Sequence, residues 1–356
     1  MQPVTVIGAG IAGLSAALAL HGRGIEVRIL ERAPALREVG AGLQISPNGY
    51  RVLEALGLGP QIDLVSRPNR AVLLADGISG ADVVRMPLDG SFRLIARPAL
   101  IQVLAGAVHS AGIEIALDHP VDVLPEEGIV LGADGLHSVV RPVLNGPDQP
   151  FFTGQVAWRA TIEGDRPEIA RVDMGPGRHL VRYPLGGNRV NLVGVEERTA
   201  WVDEGWHATG DPEAFRAAFH SFPDAQADLA RIESCALWGL FRHPVAAHWQ
   251  DGRRVVIGDA AHPTLPFLAQ GANLALEDAW TSAAAIATGD LAGWEATRQP
   301  RVRRAIAAAN ANARNYHLRG LPRRIAHRGL KTIGWLAPTT LPARFRWLYD
   351  HDVTRG

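Results

Sequence analysis

A chain of 356 residues, 47% of them hydrophobic and 20% charged, can bury a sizeable core as one large domain or two intermingled ones. Thirty-six basic residues balance thirty-six acidic ones, so no net field draws the protein to nucleic acid or an anionic membrane. The single cysteine, Cys235, excludes an intramolecular disulfide, a CxxC redox pair and a thiolate metal cluster.

The chain enters its first strand, Val4–Ile7, without a basic and apolar leader. No run of about eighteen uncharged apolar residues follows. A soluble cytoplasmic protein is the expectation. Gly8, Gly10 and Gly13 then fall at GxGxxG spacing and open a helix from Ile11 to about Leu20. In such a unit the first glycine makes the tight turn, the second admits a pyrophosphate and the third lets helix and strand pack closely. The phosphates sit where the helix's free N–H groups and dipole favour negative charge, which brings Ile11 and Ala12 beside the ligand. A second strand, Ile25–Leu30, ends on Glu31 and Arg32. An acid at Glu31 suits a ribose 2′-hydroxyl and repels a 2′-phosphate, so FAD or NAD is expected there rather than NADP.

A glycine-rich loop follows from Gly40, carrying Gln44 within Gly42–Ser46. It leads into a helix with Ser46 as cap, Pro47 in the first turn and Gly57 at its end. Short strands are predicted at Val72–Leu74 and Val83–Met86, a helix from Pro98 to Ser110, and a parallel-sheet strand at Ile113–Ala116. The strand Ile129–Leu131 feeds a turn carrying Asp134.

From Phe151 to about Glu197 the texture changes to alternating strands, Gln155–Ile162, His179–Leu185 and Arg189–Glu196. Strand Arg254–Ile257 then returns to the nucleotide domain and ends in the GDAAH turn with Asp259. Helix Gly271–Thr288 follows, and Asp290 can cap another that runs to about Tyr316. The basic tail from Leu321 to Leu348 reads as a solvated helix face and is assigned no function. The fold class is therefore α/β with an α+β insertion. A Rossmann-like nucleotide domain (1–150 and 251–310) carries an inserted antiparallel β-sheet domain (151–250) and a C-terminal helical tail (311–356).

The glycines Gly8–Gly13, the Gly132–Gly135 turn and Gly258-Asp259 form a trio that resembles the single-component FAD-dependent aromatic hydroxylases. More closely, the chain resembles their salicylate hydroxylase, 3-hydroxybenzoate 6-hydroxylase and 6-hydroxynicotinate 3-monooxygenase branch. The stretch Gly258–Ala279 is the most specific part, and the resemblance spans Val4 to the tail. It implies FAD held by Gly8, Gly10, Gly13, Glu31, Arg97, Gln44 and Asp259, with Val121 near the adenine. Asp134 would serve FAD and the handling of NADH or NADPH. Gly271, Ala272 and Asn273 would offer helix N-terminal N–H groups to the flavin. The family usually has a longer β-meander where only residues 116–131 stand here, which loosens the placement of Val121.

The same resemblance implies hydride transfer from NAD(P)H to FAD, then reaction with O2 to give a flavin C4a-hydroperoxide that hydroxylates an electron-rich ring. The protein's share is to position the ring, exclude water and help deprotonate it. Alternation puts His179, Val181 and Tyr183 on one face of their strand, with Asn191, Val193 and Val195 matching across the hairpin. His179 is the candidate anchor or proton acceptor, Tyr183 and Asn191 its companions, and Pro266 and Phe267 the wall over the flavin. Arg182 falls on the other face and is expected to be solvated; Trp158 reads as core and His262 as a brace of its turn. No metal is expected, no arginine stands out as a carboxylate clamp, and the oligomer is a monomer or homodimer. Two rivals remain open: a dehydrogenase or reductase of the same fold, and a non-catalytic flavin redox sensor.

Overall fold

The computed structural model describes residues 2–36, 42–88, 91–201, 209–337 and 339–355. The expected start of the glycine-rich loop at Gly40 and Ala41 lies outside them.

The run VTVI at Val4–Ile7 is buried on both faces, as a central parallel strand must be. It pairs in parallel with Val27–Leu30 on one side and Ile129–Gly132 on the other. Arg254–Val256 and Glu114–Ala116 complete the edges of this five-stranded sheet. The helix Ile11–His21 is apolar nearly all round because it is enclosed, packing on helix Gly271–Thr288 and helix Arg97–Ser110. Return of the chain at Arg254 is what brings the third turn beside the first two. Residues 117–128 form a connection without a strand, so the expected meander is trimmed here.

The larger sheet has eight strands. Its centre is the expected meander, Phe151–Glu163, Arg189–Glu197 and Arg178–Leu185. Three of its strands went unforeseen within 151–250: Ile169–Gly175, Cys235–Arg242 and the short edge strand Thr209–Gly210. Ala71–Asp76 and Asp82–Pro87 also belong to this sheet, through the parallel pairing of Ala71–Asp76 with Ile169–Gly175. The boundary expected at residue 151 is therefore crossed by sheet membership. Local alternation marks a strand but does not name its partner; pairing is a long-range choice.

Other local expectations are corrected. Gly42–Ile45, read as a loop, is a strand antiparallel to Arg93–Ala96. Ser46 occupies the cap position of helix Pro47–Ala55, but its hydroxyl bonds Asn48 rather than the helix backbone. Arg182 is on the other face of its strand as expected, yet it is fully buried rather than solvated. The segment Pro212–Leu229 folds over that face with Phe215, Phe219 and Phe222. It supplies Asp224 and Asp228, which join Asp173 at 2.7–2.8 Å from the guanidinium. Cys235 is buried, and Trp158 stacks on Phe215 at 5.3 Å, away from the opposite, open face. Among the described residues no helix is long and apolar enough to cross a membrane.

Candidate active site

One cavity of about 530 Å³ runs from the first glycine turn, along the strand ends of the parallel sheet, to the open face of the eight-stranded sheet. At the turn, Gly8 has φ +100° and an added Cβ would lie 2.6 Å from the Ala133 carbonyl oxygen. A Cβ on Gly13 would lie 1.9 Å from the Gly8 oxygen, so helix and strand touch there. Gly10 differs: an added Cβ would meet nothing within 4 Å, because Gly10, Ile11 and Ala12 open directly on the cavity. Bare backbone at a helix N-terminus is what an anionic diphosphate requires.

Glu31 uses one oxygen on this turn, accepting from the Ala9 N–H at 2.7 Å, and the other on its own segment, accepting from the Ala33 N–H at 2.8 Å. Arg32 is exposed, and Val121 packs against the core; neither lines the cavity. Asp134 also turns inward, accepting from the Val139 N–H at 2.7 Å, while its neighbours Ala133 and Gly135 line the cavity. Burial pushes the Asp134 carboxyl up.

Asp259 and Arg97 face the middle of the cavity. Asp259 is surrounded by protein yet bare to that space, and burial raises its carboxyl against the pull of His262 and Arg97. Gly271 and Ala272, in the first turn of an 18-residue helix, line the next stretch with N–H groups that have no intrahelical partner. Asn273 instead spends its side chain on bracing: it accepts from the Ser46 N–H at 3.0 Å and donates to the Gln44 oxygen at 3.0 Å. That brace holds Gln44 against the cavity.

Beyond lies the sheet. The register His179↔Val195, Val181↔Val193 and Tyr183↔Asn191 sets these residues on one face, and all but Asn191 line the cavity. Asn191 turns its oxygen to the Gly42 N–H at 2.9 Å, pinning strand Gly42–Ile45 to the sheet. The Tyr183 hydroxyl is buried beside Gly42, and burial pushes its pKa up. His179 is 2% exposed rather than a surface residue, flanked by Phe267 at 5.5 Å and Tyr316 at 5.3 Å. Burial, then His317, lowers its pKa well below the ordinary histidine value, so the ring is a neutral base. Pro266 and Phe267 form the wall between this face and helix Gly271–Thr288.

Three sets of residues were missed from sequence. Arg159 stands on the cavity face, opposite Val193, with its guanidinium 4.9 Å over the Trp238 ring. Burial presses its pKa down to about 10, as expected of a cation held away from water. The tail, read as functionless, returns to wall the cavity with Pro342, Phe345, Arg346 and Tyr349. Last, Glu277 and Asp278 sit inside the most specific stretch but behind the site. Asp278 accepts from the Gly258 N–H at 3.0 Å and holds His262 at 2.5 Å, bracing the turn that carries Asp259. Arg298 joins both acids at 2.6 Å, and Arg301 ties Glu277 to the tail through the Trp347 and Leu348 oxygens. The signal was present as an acid pair with arginines three residues apart one helix later.

The sequence profile of the family described as FAD binding domain matches residues 1–124 and 129–297. The chain belongs to that family. Among its relatives, a 3-amino-4-hydroxybenzoate 2-monooxygenase of Streptomyces platensis is 33% identical over 387 residues, covering 98% of this chain and 96% of the relative. A 3-hydroxybenzoate 6-hydroxylase of Polaromonas naphthalenivorans (strain CJ2) is 31% identical over 395 residues, covering 99% and 96%. In fold, this member of the FAD-binding family is similar to a salicylate hydroxylase substrate complex, with TM-score 0.84, 22% identity and coverage of 99% and 96%. It is likewise similar to Klebsiella pneumoniae HpxO complexed with FAD and uric acid, with TM-score 0.81, 23% identity and 93% of each chain covered. The expected family and fold class are both borne out, and the named relatives are aromatic monooxygenases.

Proposed function

We propose that this protein is a flavoprotein monooxygenase that hydroxylates a small aromatic ring of the phenol, hydroxybenzoate or hydroxypyridine type, using NADH or NADPH and O2. The observation that carries the reading is one continuous cavity. It has a bare glycine turn at one end and, at the other, a sheet face carrying a neutral, buried histidine and an arginine.

The residues present fit FAD. Gly10 and the first turn of helix Ile11–His21 would take the diphosphate, and Asp259 the ribityl hydroxyls. Gly271 and Ala272 would take the flavin edge where reduction places negative charge. When bound, FAD supplies the electron transfer from NAD(P)H and the activation of O2. The chain's own share is binding, orientation and proton handling. His179 accepts the proton of a ring hydroxyl, which raises the ring's nucleophilicity. Tyr183, Pro266 and Phe267 confine the ring, and the tail aromatics keep water from it. Arg159 supplies the fixed positive charge that a ring carboxylate would need, which favours hydroxybenzoate-type rings over neutral phenols.

The test is a panel of phenols, hydroxybenzoates and hydroxypyridines. Stimulated NAD(P)H and O2 consumption with a product one oxygen heavier is expected for at least one ring. NAD(P)H oxidation without oxygen in the product would favour a reductase, and no turnover of any ring a sensor. Asp259→Ala should weaken FAD binding by about 10- to 100-fold, the loss of one or two bonds to a charged group. Flavin fluorescence titration of the stripped protein reads this directly, and unchanged affinity would remove Asp259 from the cofactor site.

A further inference from the structure

His179 is connected outward as well as inward. Its Nδ1 lies 2.8 Å from Nε2 of His317, and Nδ1 of His317 lies 3.1 Å from Oε1 of Glu197. The other Glu197 oxygen accepts from Arg319 at 2.6 Å. Both imidazoles are buried, whereas the Glu197 side chain is 42% exposed. A line of two rings thus leads from the cavity wall to one carboxylate at the surface.

The line has a direction. A carboxylate only accepts, so His317 carries its hydrogen on Nδ1 and leaves Nε2 bare. That bare nitrogen must in turn receive a hydrogen from His179 Nδ1. The last nitrogen, His179 Nε2, is then left with a bare lone pair, on a residue that lines the cavity. The charged and titratable groups facing the line are Arg178 and Arg319 beside His317, and Tyr316 beside His179. Burial keeps both imidazoles neutral, although Glu197 opposes it at His317. Burial also works upward on the Glu197 carboxyl, but the bonds from Arg319 and His317 outweigh it and keep it ionised. These are the protonation states that the alignment needs.

We propose that His179, His317 and Glu197 form a proton relay that carries the hydroxyl proton of a bound phenolic ring out of the cavity to solvent. This rests on the reading that the cavity binds such a ring. The substrate O–H breaks as N–H forms at His179 Nε2. The proton on His179 Nδ1 passes to His317 Nε2, and the proton on His317 Nδ1 passes to Glu197, which releases it to water. The net change is a phenol become phenolate inside and one proton outside, with no electron moved. The reverse passage, when the product recovers its hydroxyl, restores both tautomers. His317 and Glu197 act through His179, so they are positioning and relay residues.

The experiment uses the full-length, FAD-loaded protein with 4-nitrophenol as probe, whose phenolate band reports ionisation after rapid mixing. A pH-indicator dye reports the proton released. Glu197→Gln keeps an acceptor oxygen for His317, and so the alignment, but cannot take the proton. It should ionise the bound probe about 100-fold more slowly while its Kd and the flavin spectrum stay within about twofold, and added formate should restore the rate at the exposed end. Glu197→Asp should lie within about tenfold of the parent, and His317→Phe should be as slow as Glu197→Gln with its acid limb displaced. Wild-type rates and an unmoved pH profile in both Glu197→Gln and His317→Phe would overturn the relay while leaving the cavity's function intact. A parent protein that binds neither 4-nitrophenol nor any ring of the panel overturns the functional reading, and the relay falls with it.

Discussion

His179→Ala is expected to lower the single-turnover rate of hydroxylation by about 10²- to 10⁴-fold, the usual contribution of a positioned general base. FAD should stay bound, because the ring lies on the sheet wall among His317, Phe267 and Tyr316, at the other end of the cavity from the first glycine turn. The pH dependence follows from the direction of its shift. Burial lowers the His179 pKa, so the neutral base persists below the ordinary histidine range and is lost only as pH falls through the lowered value. The parent's acid limb should therefore lie below about pH 6.5. In the variant that limb should vanish, and the rate should climb with pH toward the free phenol's own ionisation. A variant within about threefold of the parent at all pH values, less than a general base contributes, would remove His179 from the chemistry.

Arg298→Leu is expected to be the most damaging change outside the cavity. It leaves Glu277 and Asp278, both with fully buried side chains, with only part of their positive partners. Breaking a buried ion pair from one side costs about 3–5 kcal/mol. For a chain of this length that lowers Tm by about 4–7 °C at neutral pH. In the parent, burial pushes both carboxyls up, but His262 and Arg298 at Asp278, and Arg298 and Arg301 at Glu277, outweigh it and hold both below the ordinary range. Their stabilising contribution is present above the unfolded carboxylate pKa and is lost as pH falls through the folded values. Without Arg298 those values rise, so acid loss of stability should begin at a higher pH. Thermal melts across pH, followed by near-ultraviolet circular dichroism, measure both effects. A Tm unchanged at neutral pH would mean that the acids find other partners. Flavin affinity should also drop, since Asp278 holds the turn that presents Asp259.

Much of the site was legible because its chemistry is local. A turn that must pass under a diphosphate needs Gly8, Gly10 and Gly13 at fixed offsets, and the strand and helix around them announce themselves by their apolar runs. The face carrying His179, Val181 and Tyr183 was equally plain, since strand side chains alternate whatever the sheet's partners. Arg159 was recoverable only in principle. Its own strand alternation puts it with Ala157 and Thr161, but the pairing Arg159↔Val193 decides that this face is the cavity.

The sequence by itself determined the nucleotide-binding turn, the helices behind it and the alternating face of the inserted sheet, because each depends on neighbours within a few residues. Tertiary structure decided what those parts meet. It buried Arg182 by laying Pro212–Leu229 over it, folded a tail that reads as a surface helix into the cavity wall, and set His317 between His179 and Glu197 across 138 and 120 residues of chain. Contacts of that span arise from the closure of the whole core, which no short window of residues encodes.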